Sequence, residues 1–419
     1  MQITIIAGGS RGDVQPYVAL GAGLKEARHA VRLLTSDDFH GLITDYGLDF
    51  FSTGGSAEAV AREMQGLAEQ GHMLKVLRRM GQASRQQAIQ AARQGLLVCE
   101  GSDLILGGLG GLYSGLALSE KLGIPFIPAY LVPFTPTSAF PATLTPLPQT
   151  AATSWLNRPS HHLTQQMMWQ SFRTADRMAR EQVLHLPAAP CWGPFATLER
   201  RKRPTLYGYS QQVVPRPEDW DTSQHVTGYW FLEPPAGWEP PTELLNFLQA
   251  GPPPVYVGFG SMSSRRPEES ADIVLQVLER TGRRGVLYAG WGGLSKEQLP
   301  SHVHMTDSVP HSWLFPRMAA VVHHGGVGTT AAGLAAGIPS IVVPFFADQP
   351  FWGRRVHQLG VGPRPIARRR LSVDNLTRAL EQALSDQTMR EKAAELGERI
   401  RTEDGIAHAI SIIETQFAP

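Results

Sequence analysis

Short apolar runs alternate with segments of helical spacing over the first third of the chain. The runs lie at residues 3–6, 31–34, 104–106 and 126–127. Between them, apolar residues such as Leu20 and Leu24 recur at the period of a helix face. Strands and helices in this order are typical of a parallel sheet with helices on both faces. We therefore predict a doubly wound α/β domain.

The same alternation restarts in the second half of the chain. Strands are predicted at residues 255–259, 285–289, 320–323 and 340–343. Helices are predicted over residues 267–280, from Thr329 onward and from Ser372 onward, and a final helix surrounds Ile410. The chain is therefore expected to contain two similar α/β halves.

Prolines concentrate between the two halves. They stand at positions 234, 235, 240, 241 and 252 to 254, as in an interdomain linker. We assign residues 1–228 to an N-terminal domain, 229–254 to a linker region, 255–398 to a C-terminal domain and 399–419 to a C-terminal helix. That helix is expected to pack back toward the N-terminal domain.

Length and composition agree with two globular domains. The chain has 419 residues, whereas single hydrophobic cores usually stop growing at about 250–300 residues. Hydrophobic residues make up 42%, charged residues 18% and the formal charge is +1, so nothing indicates disorder or a nucleic acid partner. The two cysteines, Cys99 and Cys191, form neither a disulfide framework nor a zinc pattern, and we expect a reducing compartment.

Neither a signal peptide nor a membrane span is expected. The N-terminus MQITIIAGG has no basic leader and is interpreted as an immediate first strand. The most apolar stretch, residues 104–134, is broken by Ser119, Glu120, Lys121 and prolines, so it lacks the roughly 20 apolar residues of a membrane helix. We expect a cytoplasmic monomer or homodimer without an integral membrane segment, and peripheral membrane contact stays open.

The strongest local signal is the sequence VVHHGGVGTT at residues 321–330. Glycines separate an apolar strand from a helix, whose first N–H groups are unpaired and carry partial positive charge. Gly325, Gly326 and Gly328 let the backbone approach a phosphate closely. The motif is neither a Walker loop nor a dinucleotide fingerprint. We interpret it as an anion cradle, and a tight turn without a ligand is the alternative.

The fourteen histidines do not follow a metal-ligand pattern. His161 with His162 and His323 with His324 are adjacent pairs, and adjacent residues on a helix do not face the same ligand. Neither an HExxH motif nor a cysteine–histidine spacing is present. We expect no metal and no other cofactor.

A longer stretch carries a specific signature. It reads SVPHSWLFPRMAAVVHHGGVGTTAAGLAAGIPSIVVPFFADQPFWGRRV at residues 308–356, and GGSRGDVQP at 8–16 and GFGSM at 258–262 accompany it. These motifs resemble the family 1 glycosyltransferases, most closely their bacterial natural-product and sterol glucosyltransferase branch. The resemblance implies the GT-B fold, in which two Rossmann-like domains face each other across a cleft. It also implies that the chain binds a nucleotide-sugar donor and an apolar acceptor.

The resemblance assigns a diphosphate site to the second domain. The implied ligands are the His324 side chain, the amides of Gly326, Gly328 and Thr329, and Ser261 of the GSM loop. Such donors would replace a metal, because a departing nucleoside diphosphate develops negative charge that fixed donors stabilise.

The same resemblance assigns contacts to the sugar and the base. Asp348 and Gln349 match the acidic–Gln pair that holds sugar hydroxyls, and an Asx turn before Pro350 is the alternative. Val309 matches the backbone contact to the nucleobase.

Two departures from the plant members leave the base and the ribose open. Thr306 or Asp307 stands where they place a base-stacking tryptophan, and Ala332 stands where they place a ribose-binding glutamate. Trp313 is close but has a different offset, so we interpret it as packing. Both UDP and dTDP donors therefore remain candidates.

In the first domain the resemblance indicates Asp13 as the catalytic base. Plant members carry a histidine there with a second acid, but the matching stretch LILGGLGG at 104–111 has no acid, so Asp13 is expected to act alone. A reference pKa of about 3.9 requires proton transfer to be concerted with attack on the anomeric carbon. Ser10, Arg11 and Gly12 are expected donor contacts, and Arg11 is otherwise a solvated loop residue or a partner of Asp13.

The acceptor site is expected in the first domain. Candidate lining residues are Phe134, Met167, Met168 and Phe172, since methionine and aromatic side chains suit a flat apolar ligand. Met168 and Phe172 also belong to a helical stripe that is typical of core packing.

We therefore expect an inverting transferase that moves a hexose, glucose from UDP-glucose first, to a hydroxyl of a sterol or polyketide. The alternatives are a dTDP-deoxysugar-dependent transferase, a nucleotide-sugar epimerase on the same fold and a non-catalytic relative. A dehydrogenase is a further rival, because Ala7, Gly9 and Gly12 mimic a relaxed dinucleotide fingerprint with Asp37 as the ribose acid.

Overall fold

A computed structural model describes residues 1–57, 59–60, 73–144, 151–259, 267–288, 299–307 and 309–417. The strands are β1 Gln2–Ile6, β2 Ala30–Thr35, β3 Asp49–Ser52, β4 Leu104–Gly107, β5 Phe126–Tyr130, β6 Thr205–Tyr207, β7 Gln224–Val226, β8 Val255–Gly258, β9 Gly285–Tyr288, β10 Val303–Thr306, β11 Ala320–His323 and β12 Ser340–Val342. The helices are α1 Arg11–Glu26, α2 His40–Thr44, α3 Met73–Cys99, α4 Leu112–Leu122, α5 Asn157–Ala179, α6 Phe195–Arg201, α7 Thr242–Gln249, α8 Pro267–Thr281, α9 His311–Leu314, α10 Val327–Ala335, α11 Gln349–Gln358, α12 Val373–Ser385, α13 Gln387–Arg401 and α14 Gly405–Phe417.

The chain separates into two compact units. The first comprises Met1–Val60, Met73–Leu232 and residues 404–417, and the second comprises Glu233–Glu403. The range predicted as a linker, residues 229–254, contains α7, whose Leu244 is fully buried in the core of the second unit. Among the residues described, no helix is long and apolar enough to cross a membrane.

The first unit is built on a seven-stranded parallel sheet in the order β3-β2-β1-β4-β5-β6-β7. Both faces are covered: Ile3 and Ile5 on one face of β1 and Thr4 on the other have no exposed surface. The strand order reverses between β1 and β4. In open α/β sheets, ligands bind at this reversal, outside the carboxyl ends of the strands. The prediction of a doubly wound first domain is confirmed.

The C-terminal helix α14 packs within the first unit. A Cβ added at Gly23 of α1 would lie 2.3 Å from the Ile406 side chain, so the two helices are in close contact. His29 Nε2 lies 3.1 Å from the Glu414 carboxylate, at the other end of the same contact. The last helix therefore belongs to the N-terminal core.

A buried arginine fixes the end of α5. The helix continues into a π-helical turn, Arg180–Leu184, and the Arg180 side chain is only 7% exposed. Its guanidinium donates to Glu120 of α4 at 2.7 Å and to the Pro187 carbonyl at 2.8 Å. Since a buried guanidinium needs partners for its N–H groups, this contact ties α4, α5 and the following loop together.

Removing that contact tests its contribution to stability. Arg180→Ala is expected to lower the free energy of unfolding by about 2–3 kcal/mol, less than for a fully buried pair because Glu120 is 46% exposed. The matched control is Arg177→Ala, whose exposed pair with Glu181 should contribute about 0.5 kcal/mol or less. Urea unfolding of both variants measures the difference, and equal losses would contradict this account.

The second unit contains a five-stranded parallel sheet in the order β10-β9-β8-β11-β12. Its two faces are buried in separate clusters: Val255, Val257 and Val322 face one, and Tyr256 and Val321 face the other. Here the strand order reverses between β8 and β11, which marks the binding edge of this sheet. Two Rossmann-like units with parallel sheets confirm the predicted fold class.

One predicted element boundary is wrong. Helix α10 begins at Val327 instead of Thr329, because Gly326 already takes the extended N-cap conformation with φ −62° and ψ 146°. Gly328 and Thr329 therefore lie in the first turn of the helix. Their N–H groups are among those that a helix leaves unpaired at its start.

Candidate functional site

Asp13 lies in the first turn of α1, directly after the carboxyl end of β1. The Ser10 backbone N–H and the Ser10 hydroxyl both donate to Asp13 Oδ2, each at 2.8 Å. A carboxylate in the first helical turn is further stabilised by the helix dipole. These contacts hold the Asp13 side chain beside the carboxyl end of β1, where the strand order of the first sheet reverses.

Glycines make this arrangement possible. Gly9 adopts a φ of +128°, and a Cβ there would lie 2.5 Å from Asp13 Oδ2. A Cβ at Gly110, in the loop after β4, would lie 2.3 Å from the Gly8 carbonyl oxygen. The loops after β1 and β4 therefore pack backbone to backbone beside Asp13. The loop from Gly107 to Gly111 carries no acidic residue.

Burial raises the pKa of Asp13, and the two hydrogen bonds from Ser10 offset part of the rise. The residue keeps some exposed surface, so protein atoms surround the carboxyl group without sealing it off. One turn later the buried Tyr17 hydroxyl donates to the Ala129 carbonyl, and burial together with the Asp13 charge raises the pKa of Tyr17. Such an environment suits a carboxylate that accepts a proton.

The neighbouring predicted residues lie on the exposed side of α1. Arg11 is exposed and its Nε donates to Gln15 Oε1 at 3.2 Å, along the helix surface. Gly12 is partly exposed in the same turn. Ser10 donates both of its hydrogen bonds to the Asp13 carboxylate, as described above.

In the second unit, the turn after β11 contains two buried histidine rings. His323 Nδ1 accepts the Gly325 N–H at 3.1 Å, and Gly325 has a φ of +88° that only glycine adopts easily. His323 Nε2 and His324 Nδ1 are buried and have no hydrogen-bond partner among the described residues. Gly326 has to be glycine, since a Cβ would lie 2.4 Å from His324 Nε2.

Both histidines are neutral near pH 7. Burial lowers the pKa of His323 to about 3, aided by the neighbouring His324 and His311, and lowers that of His324 to about 4. Because His323 Nδ1 accepts a hydrogen bond, we assign its proton to Nε2. A buried N–H donor without a partner is costly and uncommon. A ligand oxygen at the carboxyl end of β11 would satisfy it.

The sequence does not identify His323 as a ligand. Its resemblance to the family assigns the phosphate contact to His324 alone, and the adjacent histidine pairs suggest metal ligands at most. Within the described ranges, no group of three His, Cys, Asp or Glu side chains could hold a metal ion. The signal that identifies His323 is the pairing of its Nδ1, which the sequence does not reveal.

Asp348 and Gln349 lie together at the start of α11. Asp348 Oδ2 accepts the Trp352 indole N–H at 2.8 Å. Gln349 is buried, and its Oε1 accepts the backbone N–H groups of Phe345 and Phe346 at 2.8 and 3.2 Å. Asp348 Oδ2 and Gln349 Oε1 thus both accept hydrogen bonds from the protein. The bonds to Gln349 Oε1 fix the direction of the amide N–H groups of this side chain.

Strain accompanies this loop. Ala347, directly before Asp348, has a φ of +56°, a conformation that L-residues other than glycine rarely adopt. Residues held in such conformations often occur at ligand-binding sites.

Two further predicted donor contacts are Val309 and Ser261. Val309 is buried against the core before α9, and Trp313 packs on Trp238 with ring centroids 5.5 Å apart. Ser261 lies outside the described residues.

The predicted acceptor residues share one aromatic cluster in the first unit. Phe134 and Phe172 are linked through Phe195 and Tyr113, with ring centroids 6.0 Å apart for Phe134–Phe195, 6.4 Å for Tyr113–Phe195 and 5.8 Å for Tyr113–Phe172. Tyr113 follows the glycine loop that packs against Gly8, so the cluster begins beside the loop that leads into α1 and Asp13.

Met168 is buried and Met167 half-buried on the helix α5 that borders this cluster. A cavity of about 60 Å³ in the first unit has Phe134, Tyr130 and Phe195 in its wall. This volume is far below the roughly 300–1,000 Å³ of a small-molecule site, so this cavity alone does not accommodate a small-molecule acceptor.

The chain matches two known families. Residues 3–141 match the glycosyltransferase family 28 N-terminal domain. Residues 293–408 match the C-terminal domain described as erythromycin biosynthesis protein CIII-like.

Two similar proteins are sterol 3-beta-glucosyltransferases. The chain is 36% identical over 431 residues to one from Arabidopsis thaliana, covering 100% of this chain and 68% of the relative. It is 35% identical over 438 residues to one from Cryptococcus neoformans var. neoformans serotype D, covering 99% of this chain and 27% of the relative. The chain thus corresponds to part of these longer proteins.

A solved structure is similar in fold. It is the Streptomyces sp. SF2575 glycosyltransferase SsfS6 complexed with thymidine diphosphate, with a TM-score of 0.63, 20% identity and 99% coverage of both chains.

Proposed function

The chain belongs to the family 1 glycosyltransferases, and from this premise we propose that it transfers glucose from UDP-glucose to the hydroxyl group of a sterol, inverting the anomeric carbon. The full-length similarity to two sterol 3-beta-glucosyltransferases supports the acceptor class and the sugar. The observation that carries the chemistry is the Asp13 carboxylate, held in the first turn of α1 at the reversal point of the first sheet.

Asp13 acts as the base in this proposal. Both hydrogen bonds from Ser10 end on Oδ2, so Oδ1 accepts the proton from the acceptor hydroxyl. The hydroxyl oxygen forms a bond to the anomeric carbon while the bond to the diphosphate breaks. Because burial raises the pKa of the carboxyl group, proton transfer to it is more favourable than to an ordinary aspartate.

The second unit stabilises the leaving diphosphate. We infer that the His323 Nε2–H donates to a phosphate oxygen, together with His324 and the first N–H groups of α10. These groups are fixed before the reaction, so they need little reorganisation as negative charge develops. They supply this stabilisation without a metal. Asp348 and Gln349 hold the sugar hydroxyls, with their own orientation fixed by Trp352 and by the loop backbone.

A panel of donors and acceptors tests the proposal. UDP-glucose, UDP-galactose and dTDP-glucose are each incubated with sterols and with aromatic polyketides, with and without EDTA, and products are measured by mass spectrometry. We expect sterol glucoside from UDP-glucose as the main product in both metal conditions. Transfer to polyketides alone, or from dTDP-glucose alone, would contradict the proposed substrates. Loss of transfer with EDTA would contradict metal independence.

The pH profile of kcat/KM tests the role of Asp13. The base must be ionised, so activity falls as the pH falls through its pKa, and this acidic limb should lie above the ordinary aspartate value of 3.8. In Ser10→Ala the limb should move to higher pH, because the variant loses the hydroxyl hydrogen bond that lowers the pKa. A limb that stays in place or moves down in Ser10→Ala would contradict the assignment.

A further inference from the structure

Three large apolar side chains are exposed around the N-terminal half of α5. Trp155 is 72% exposed, Leu163 56% and Trp192 75%. Trp155 lies in the 3₁₀ turn Ala151–Leu156 that leads directly into α5, and Leu163 follows two turns later. Gln166 Nε2 donates to the Trp192 carbonyl at 2.7 Å, so Trp192 lies beside the helix face that presents Leu163.

The same surface is basic. From its start to Ala175, α5 contains no acidic residue, while Arg158 and Arg173 are exposed. Within the described part of the chain, neither of these arginines forms a salt bridge with a carboxylate. In contrast, Arg177 near the end of the helix pairs with Glu181.

Helix α3 adds to this charge. Over its 27 residues it has no acidic residue, and its five basic residues are Lys75, Arg78, Arg79, Arg85 and Arg93. A Cβ at Gly81 of α3 would lie 2.2 Å from the Ser171 carbonyl oxygen of α5, so the two helices are in backbone contact. The whole chain carries a formal charge of only +1, whereas α3 together with α5 up to Ala175 has seven basic residues and no acidic one.

The two helices run in the same direction. Gly81, the ninth of the 27 residues of α3, contacts Ser171, and toward the carboxyl ends both helices reach α4. There a Cβ at Gly95 would lie 2.6 Å from Leu118, and Arg180 bonds Glu120 at 2.7 Å. The basic N-terminal part of α3 therefore lies at the same end as the exposed tryptophans.

We propose that this surface, formed by Trp155, Leu163 and Trp192 with Arg158 and Arg173 of α5 and the basic residues in the N-terminal half of α3, docks on an anionic lipid bilayer. Tryptophan favours the membrane–water interface, where its apolar ring enters the boundary and its N–H stays hydrated. Basic side chains near the surface are attracted to anionic head groups. A few interfacial side chains and several positive charges give reversible attachment.

The docking proposal has a consequence for the reaction, and this step rests on the proposed function. A sterol acceptor resides in a bilayer. The docking surface belongs to the same unit as Asp13, so attachment brings the base and the acceptor to one membrane.

Vesicle flotation of the full chain tests the docking surface. Vesicles of phosphatidylcholine alone are compared with vesicles that also contain phosphatidylglycerol, at low and high salt. The wild type should float with the anionic vesicles and be released by salt. The double variants Trp155→Ala/Trp192→Ala and Arg158→Ala/Arg173→Ala should each bind roughly tenfold more weakly. Leu97→Ala, another exposed apolar residue at 66%, and Arg177→Ala are the matched controls and should bind as the wild type does.

Several outcomes would overturn the docking proposal. They are equal flotation with neutral and anionic vesicles, no flotation at all, and variants that bind like the controls. Light scattering detects a further one: self-association that the tryptophan variants abolish, without vesicle binding by the wild type, would make this surface an interface between copies of the chain.

Glucosyl transfer separates this proposal from the proposed function. With sterol in cyclodextrin the tryptophan variant should equal the wild type, and with sterol in anionic vesicles it should be slower by a factor similar to its loss of binding. Equal rates on vesicles would overturn the coupling of docking to acceptor access. If the wild type floats but glucosylates no sterol in either form, the docking stands and the proposed function fails.

Discussion

Replacing Asp13 with asparagine is expected to lower kcat by about two to four orders of magnitude, the contribution typical of a general base. The amide is nearly isosteric, and its oxygen can still accept a hydrogen bond from Ser10, so the turn at the start of α1 is kept. What the variant loses is the carboxylate that, in our proposal, takes the proton from the acceptor hydroxyl. Steady-state kinetics with saturating donor and acceptor measures the effect.

Folding and nucleotide binding are the controls for this variant. Burial raises the pKa of Asp13 in the folded state, so this group stabilises the fold below its unfolded pKa and loses that contribution as the pH rises through the folded value. At neutral pH the ionised carboxylate is therefore a net cost to the fold, so removal of the charge should lower the free energy of unfolding by no more than the roughly 1 kcal/mol of its helix-dipole interaction. A folded Asp13→Asn protein that binds UDP and keeps more than a small fraction of wild-type kcat would exclude Asp13 as the base.

The second large effect is expected for His323→Asn, which should lower kcat by about 10²–10³-fold, as for removal of one fixed donor to a developing charge. Asparagine Oδ1 takes the position of Nδ1 and can keep the hydrogen bond from Gly325. The Nε2 donor, which is buried and unpartnered among the residues described, is lost. UDP affinity from calorimetry should fall together with kcat.

His323→Phe separates the two functions of this side chain. Phenylalanine keeps an aromatic ring but lacks both nitrogens. The variant therefore loses the acceptor for the Gly325 N–H as well as the Nε2–H donor. If only the turn mattered, His323→Asn would resemble the wild type and His323→Phe would be impaired. That result would contradict the role proposed for Nε2, whereas strong loss in both variants supports it.

The sequence predicts much of this fold because buried parallel strands are continuous apolar runs. The strand 320–323 and the helix from residue 267 appear in the structure close to their predicted bounds. The strand β10, with the sequence VHMT, has no such run, since it is an edge strand with half-buried His304. Helix α7 was not predicted because prolines precede it. Pro241, however, stands at its N-cap, where proline does not interrupt helical hydrogen bonds.

The sequence predicts more of the candidate site in the first unit than in the second. The position of Asp13, after a strand and at the start of a helix, can be predicted from the sequence because the motif itself contains the turn. The importance of His323 was not, because it depends on which ring nitrogen already has a partner. The predicted acceptor residues show the same limit, since Phe134 and Phe172 come together only through Tyr113 and Phe195, which come from other elements.

The most direct test of the central claim is the structure of the product formed from UDP-glucose and a sterol. The full chain is incubated with both, and the glucoside is isolated and its anomeric configuration read from the proton coupling in its NMR spectrum. Single displacement with Asp13 as base predicts a β-linked sterol glucoside from the α-linked sugar of UDP-glucose. An α-linked glucoside, or no glucoside from a protein that binds UDP, would contradict the account.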